Sequence, residues 1–228
     1  MSKRTYGEMC PVARALDVIG ERWSILIVRE LLLGPKRFKD LLARLPAMGT
    51  NRLADRLKGL EAAGVLAKRT LPAPADVQVY ELSDYGERLR PLISCLGAWG
   101  AELPLPDDVD TSTARAELIA LGLSTTAPPE LSAGCDETYE LHVAHECFHV
   151  RAADGVVTVR SGPAPLAADL RVECDLTTFL ELATGAITPA QAARARRASF
   201  TGDAALKTRA FQILSYRHAD RELRLVPA

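Results

Sequence analysis

The stretch 50–66 constrains this chain more than any other part of it. It reads Thr50-Asn51-Arg52-Leu53-Ala54-Asp55-Arg56-Leu57-Lys58-Gly59-Leu60-Glu61-Ala62-Ala63-Gly64-Val65-Leu66. Leu53, Leu57 and Leu60, with Ala54 beside them, recur at helical spacing, while Asn51, Arg52, Asp55, Arg56 and Lys58 fall on the other face. Thr50 suits a capping position and Gly64 a stop. One face must be buried and the other must stay in water with an excess of base. That excess is regional. The chain of 228 residues has a net charge of −1, yet residues 22–69 hold 11 Lys+Arg against 4 Asp+Glu. Residues 1–104 carry a net of +4 and residues 105–228 a net of −5. A basic segment in a nearly neutral protein points to a polyanion-binding module joined to a second unit.

The composition, 48% hydrophobic and 25% charged, is that of a globular chain long enough for two small domains or one large one. No apolar run approaches the roughly 20 residues a membrane span needs. Met1-Ser2-Lys3-Arg4 lacks the apolar core of a signal peptide, so a cytoplasmic protein without membrane partners is expected. The five cysteines, Cys10, Cys95, Cys135, Cys147 and Cys174, are odd in number and widely spaced, which suits free thiols in a reducing compartment.

The division is expected at the Pro- and Asp-rich connector 105–113, between a domain over 1–104 and another over 114–228. In the first, Cys10-Pro11 opens a helix that Gly20 ends, with Val12, Ala15, Leu16 and Ile19 as its apolar face. A second helix over 23–33 is apolar nearly all round, as a central helix must be. A third spans 38–45, the fourth starts at Thr50, and paired strands follow over 65–70 and 77–82. A last helix over 85–103 has an apolar ridge of Leu89, Leu92, Ile93, Leu96 and Trp99. This order makes the first domain a mainly α winged helix-turn-helix, with the helix 50–63 placed for the DNA major groove. In the second domain, a helix over 114–123 precedes strands over 139–145, 148–152, 156–160 and 168–174, with Asp154-Gly155 as a hairpin turn. Helices over 177–184, 189–197 and 203–216 complete an α+β layer.

Lys36, Arg37 and Lys39, at the start of the third helix, are placed to attract phosphate. Asn51, Arg52 and Arg56 are the base readers, since Asn pairs with adenine and Arg with guanine in two-bond geometries. Thr50 and Lys58 flank them, and Lys68 and Arg69 lie where the wing meets the flanking backbone. The wing tip, 71–77, has no basic residue, which argues against insertion into the minor groove. Along an extended run His145 and His149 share a face and His142 points away, so no metal is expected there. No Ser-His-Asp order, phosphate loop or paired-carboxylate pattern stands out, so neither an enzyme nor a cofactor is expected.

The first domain resembles the HxlR family of bacterial winged-helix transcription factors over about 8–103. The likeness rests on Cys10-Pro11-Val12, Ile19-Gly20-Glu21-Arg22-Trp23, Leu31-Leu32-Leu33-Gly34-Pro35-Lys36-Arg37-Phe38, Thr50-Asn51-Arg52-Leu53, Leu60-Glu61-Ala62-Ala63-Gly64-Val65-Leu66 and Tyr80-Glu81-Leu82-Ser83-Asp84-Tyr85-Gly86. The resemblance implies a homodimer on double-stranded DNA with an inverted-repeat operator. Its interface would use Leu89, Leu92, Ile93, Leu96 and Trp99, with Val12 and Leu16 of the first helix beside them. It also implies that Cys10, at a helix start that lowers a thiol pKa, serves as a redox or electrophile sensor in some relatives.

The second domain looks like a sterol carrier protein type-2 fold, carried by Asp169-Leu170-Arg171-Val172-Glu173-Cys174-Asp175, by Thr184-Gly185-Ala186-Ile187-Thr188-Pro189 and by Phe200-Thr201-Gly202-Asp203. That likeness implies an apolar small-molecule pocket, for which Phe148, Phe179, Phe200 and Phe211 are the lining candidates. The expected function is a dimeric regulator that such a ligand modulates. The alternatives are a thiol-based regulator acting through Cys10, and a lipid or small-molecule carrier without DNA function.

Overall fold

The computed structural model describes residues 5–72, 74–104 and 113–215, and the connector 105–112 lies outside them. The chain divides into two compact units, Met1–Ile93 and Ser94–Ala228.

In the first unit, helices α1 (Pro11–Ile19), α2 (Ser24–Leu32), α3 (Phe38–Arg44) and α4 (Thr50–Ala62) precede strands β1 (Leu66–Thr70) and β2 (Gln78–Leu82). Ile27, Val28, Leu31, Leu41, Leu53, Leu57, Leu60 and Val65 are buried in one core cluster. Helix α2 crosses its middle, as its all-round apolarity requires. Helix α1 differs from expectation. Ala13 and Ile19 are its buried residues, whereas Val12 and Leu16 are left exposed. Its Val12–Leu16 stripe therefore faces away from its own core.

Gly64, at φ 72°, lets the chain leave α4 and enter β1, with the Val65 amide donating back to Leu60 O at 2.9 Å. Strands β1 and β2 pair antiparallel from Leu66↔Leu82 to Thr70↔Gln78. The expected final helix is two. Helix α5 (Asp84–Glu87) is capped by Ser83, whose Oγ accepts from the Gly86 amide at 3.0 Å and donates to Gly64 O at 2.6 Å. Helix α6 (Arg90–Ala101), which runs across the boundary between the two units, starts afresh, because Pro91 has no N–H with which to continue the ladder from α5.

In the second unit, α7 (Ala116–Thr126) leads into β3 (Asp136–Val143), β4 (Glu146–Ala153), β5 (Val156–Ser161) and β6 (Leu170–Cys174). Helices α8 (Leu176–Thr184) and α9 (Pro189–Arg194), strand β7 (Ala198–Gly202) and helix α10 (Leu206–Ile213) follow. The sheet order is β5-β4-β3-β6-β7, antiparallel except for the parallel β3/β6 pair. This is an α+β layer. Strand β7 is absent from the sequence reading. It is a short edge strand directly after a helix-like run, and pairing with β6 defines it.

Alternation along β3 and β4 buries Tyr139, Leu141, Val143, Phe148, Val150 and Ala152 on one face. There Phe148, Phe179, Phe211 and Phe200 contact one another edge-to-face, at centroid distances of 6.2, 6.5 and 6.5 Å. The Glu146 carboxylate holds the start of α7, accepting from the Ala116 and Glu117 amides at 3.1 Å each.

Candidate nucleic-acid interface

Burial of Leu53, Leu57 and Leu60 fixes the rotation of α4. Thr50, Asn51, Arg52, Asp55 and Lys58 are thereby held in solvent, and Arg56 is half-buried. Gly49, not Thr50, is the N-cap, so Thr50 is the first helical residue and its hydroxyl closes no cap. Thr50, Asn51, Arg52, Asp55 and Arg56 line one open concavity with Ala47 and Gly49. Arg52 and Arg56 also line a second, with Glu21, Arg22 and Trp23.

The second concavity adds residues that the sequence reading did not assign to the site. Trp23 caps α2 in the left-handed conformation, at φ 84°, and its buried Nε1 has no hydrogen-bond partner. Arg22 lies over its ring at 5.5 Å. Glu21 pairs with Arg56 at 3.3 Å, holding that guanidinium toward the α1–α2 turn. The sequence signal for them is the run Glu21-Arg22-Trp23, two charges and an aromatic at the turn into α2.

Several expected phosphate contacts are placed otherwise. Lys36 is only 6% exposed, and its backbone forms a bridge to β2, with Lys36 N to Tyr80 O at 2.9 Å and Tyr80 N to Lys36 O at 2.8 Å. It belongs to the structure that holds the wing and is not available to a phosphate. Arg37 is half-buried at the N-cap of α3, and its amide donates to Asp40 Oδ2 at 3.2 Å. The Asp40 carboxylate thus takes a place at the helix start that an incoming anion would need. Lys39 is exposed.

On the wing, Lys68 pairs with Glu61 at 3.0 Å, which raises its ammonium pKa, and lies 5.7 Å from the Tyr80 ring centroid. Arg69 forms two hydrogen bonds to Glu81, at 2.9 and 2.8 Å. Both wing cations are neutralised by partners within the unit, which leaves the exposed cations of the motif at Arg52 and Lys58 of α4, Lys39 of α3 and Arg22.

The expected interface residues separate into two groups. Leu89 and Ile93 are half-buried against their own core. Leu92, Leu96 and Trp99, spaced as one helical stripe on α6, are exposed, Trp99 by 61%.

Cys10 is exposed at the N-cap of α1. The backbone amides of Ala13, then of Val12, hold its thiol below the usual range, although the thiol makes no capping hydrogen bond. In contrast, burial pushes Cys174 up to about 12.

Residues 18–107 match the model of the HxlR-like helix-turn-helix family. An HTH-type transcriptional regulator of Bacillus subtilis, YvaP, is 37% identical over 105 residues, which are 45% of this chain and 96% of that one. The chain belongs to the HxlR-like family. The B. subtilis HTH-type transcriptional regulator YodB is 34% identical over 101 residues, 44% of this chain and 90% of YodB. The crystal structure of quinone-bound YodB covers 41% of this chain and 100% of its own, at 30% identity and a TM-score of 0.36. This HxlR-like chain differs from these relatives in carrying a second matched region. Residues 117–215 match the SCP-2 sterol transfer family. Among the described residues no helix is long and apolar enough to cross a membrane.

Proposed function

We propose that this chain is a dimeric transcriptional regulator that binds an inverted-repeat operator through α4. The supporting observation is the outer face of that helix. Three buried leucines leave Asn51, Arg52 and Lys58 in solvent, while Lys36 is buried and the wing cations Lys68 and Arg69 are paired. Asn51 and Arg52 read base edges, and Lys58 with Lys39 supplies phosphate attraction. Arg56 is held in reserve by Glu21, a pair whose carboxylate lies in solvent and whose guanidinium is half-buried, and which DNA can outcompete at modest cost. The exposed stripe of Leu92, Leu96 and Trp99 supplies the dimer contact, together with the Val12–Leu16 stripe of α1.

The second unit is the regulatory input. An apolar ligand entering between sheet and helices must part the contacts among Phe148, Phe179 and Phe211, so binding is coupled to a change of shape. The test is a titration of DNA from upstream of the protein's own gene, across a salt series, with and without a cell lipid extract. Specific binding that the extract alters supports both parts. Binding the extract leaves unchanged removes the ligand. Absence of specific binding to any operator fragment at low salt removes the regulator.

A second reading is favoured by one observation, the exposed and acidified thiol of Cys10. On that reading oxidants or electrophiles set DNA affinity through Cys10. Unchanged affinity after diamide or quinone treatment would dispose of it.

A further inference from the structure

The β3–β4 hairpin turns at Ala144 and His145, with Ala144 at φ 52°, and not further along the chain. That turn corrects the face assignment made from sequence. His142 stands directly opposite Cys147, and Glu140 opposite His149, so all four side chains project from the face opposite the phenylalanine core. His142 Nε2 lies 2.8 Å from Glu140 Oε1 and 3.7 Å from Cys147 Sγ. The three donor atoms lie within 4.8 Å of one another, the one such cluster among the described residues.

We propose that Glu140, His142 and Cys147 form a Zn2+ site on the outer face of the second unit. In a tetrahedral zinc site the donor atoms stand about 3.3–3.6 Å apart, as bond lengths of ~2.0–2.3 Å dictate. The sulfur–nitrogen separation of 3.7 Å must close by about 0.1–0.2 Å, and the oxygen–nitrogen pair at 2.8 Å must open by about half an ångström. One thiolate, one imidazole and one carboxylate select zinc over the hard cations Mg2+ and Ca2+.

The surroundings orient the donors. The Ala164 amide donates to Glu140 Oε2 at 2.8 Å, which turns Oε1 toward the other two. The loop carrying Ala164 is pinned by His149 Nδ1 at 3.0 Å from Gly162 O and by Gly162 N donating to Cys147 O at 2.8 Å. Arg171, 3.7 Å from Glu140 Oε1, also holds Glu173 at 3.0 Å and can keep that partner when a cation arrives. Binding breaks the S–H bond of Cys147 and releases its proton to solvent, while His142 binds as neutral imidazole with its proton on Nδ1. No electron is transferred. Three protein donors leave a fourth position for water or an exogenous ligand.

The experiment titrates the reduced, metal-stripped full chain with Co2+, whose bond to thiolate gives a charge-transfer band in the near ultraviolet, and then with Zn2+. The expected result is one equivalent of Co2+, displaced by Zn2+. Cys147→Ser should abolish the band. His142→Gln should weaken binding by at least about tenfold. Cys10→Ser, Cys95→Ser, Cys135→Ser and Cys174→Ser should leave it intact. Circular dichroism melts check that each variant folds, and His142→Gln stands in should Cys147→Ser not fold. No band, or a band and affinity unchanged in both Cys147→Ser and His142→Gln, overturns the site.

Discussion

Arg52 and Arg69 are both arginines on the DNA-binding motif, yet their settings give them different work. Arg52 projects into solvent from α4, whereas Arg69 is held by Glu81 through two hydrogen bonds. Arg52→Ala is expected to cost about 1–3 kcal/mol of discrimination at one base position of each half-site. Its stability should change by no more than about 0.5 kcal/mol, read from a denaturant melt. Lys58→Ala should weaken all sequences alike and lower the salt slope by about one, whereas Arg69→Ala should leave that slope nearly unchanged.

The thiols are similarly ranked by setting. A lowered pKa gives Cys10 more thiolate at any given pH, and burial keeps Cys174 protonated well above neutrality. Peptide mapping after brief iodoacetamide treatment at pH 7 should find Cys10 modified before Cys174, and the reverse order would contradict the assignment. Arg52 and Cys10 were legible in the sequence because helix period and helix start alone define them. The burial of Lys36 was not, because it depends on a bridge to Tyr80, more than forty residues away.

At the scale of elements, the period of three leucines made α4 legible, and the same period sets what it contributes. Leu57 is 1% exposed inside the core, so Leu57→Ala is expected to destabilise the first unit by about 2–5 kcal/mol, measured by chemical denaturation. Gly86 is a second fixed point. A Cβ there would stand 1.9 Å from Val65 O, where α5 packs on the entry to β1. Gly86→Ala must push the wing and α5 apart, with an expected loss of about 2 kcal/mol or more. A near-neutral result would mean that this contact relaxes freely.

Elements defined by pairing were harder to read. Strand β7 exists through its ladder with β6, and the hairpin at Ala144 and His145 lacks the Asn-Gly or Asp-Gly signal that identified Asp154-Gly155. The register that brings His142 to Cys147 follows from that unmarked turn. The break between α5 and α6 had a visible cause in Pro91, but the continuous apolar ridge masked it.

At the scale of the molecule, a basic HxlR-like unit is joined to an SCP-2-like unit of opposite net charge. The order of the two was legible from the motifs and the charge asymmetry. The assembly is the proposal that joins them. If Leu92, Leu96 and Trp99 form the dimer contact, Leu96→Glu with Trp99→Ala should halve the mass found by sedimentation equilibrium and favour single half-sites over the full operator. An unchanged dimer would move the contact elsewhere.

The most direct measurement is selection of bound sequences by the full chain from a pool of random duplexes, repeated with Arg52→Ala. The expected outcome is an inverted repeat with half-sites about one helical turn, or a whole number of turns, apart, one position of each half losing its preference in the variant. Enrichment of no sequence, or of a repeat that Arg52→Ala reads as well as the parent, would contradict operator reading by α4.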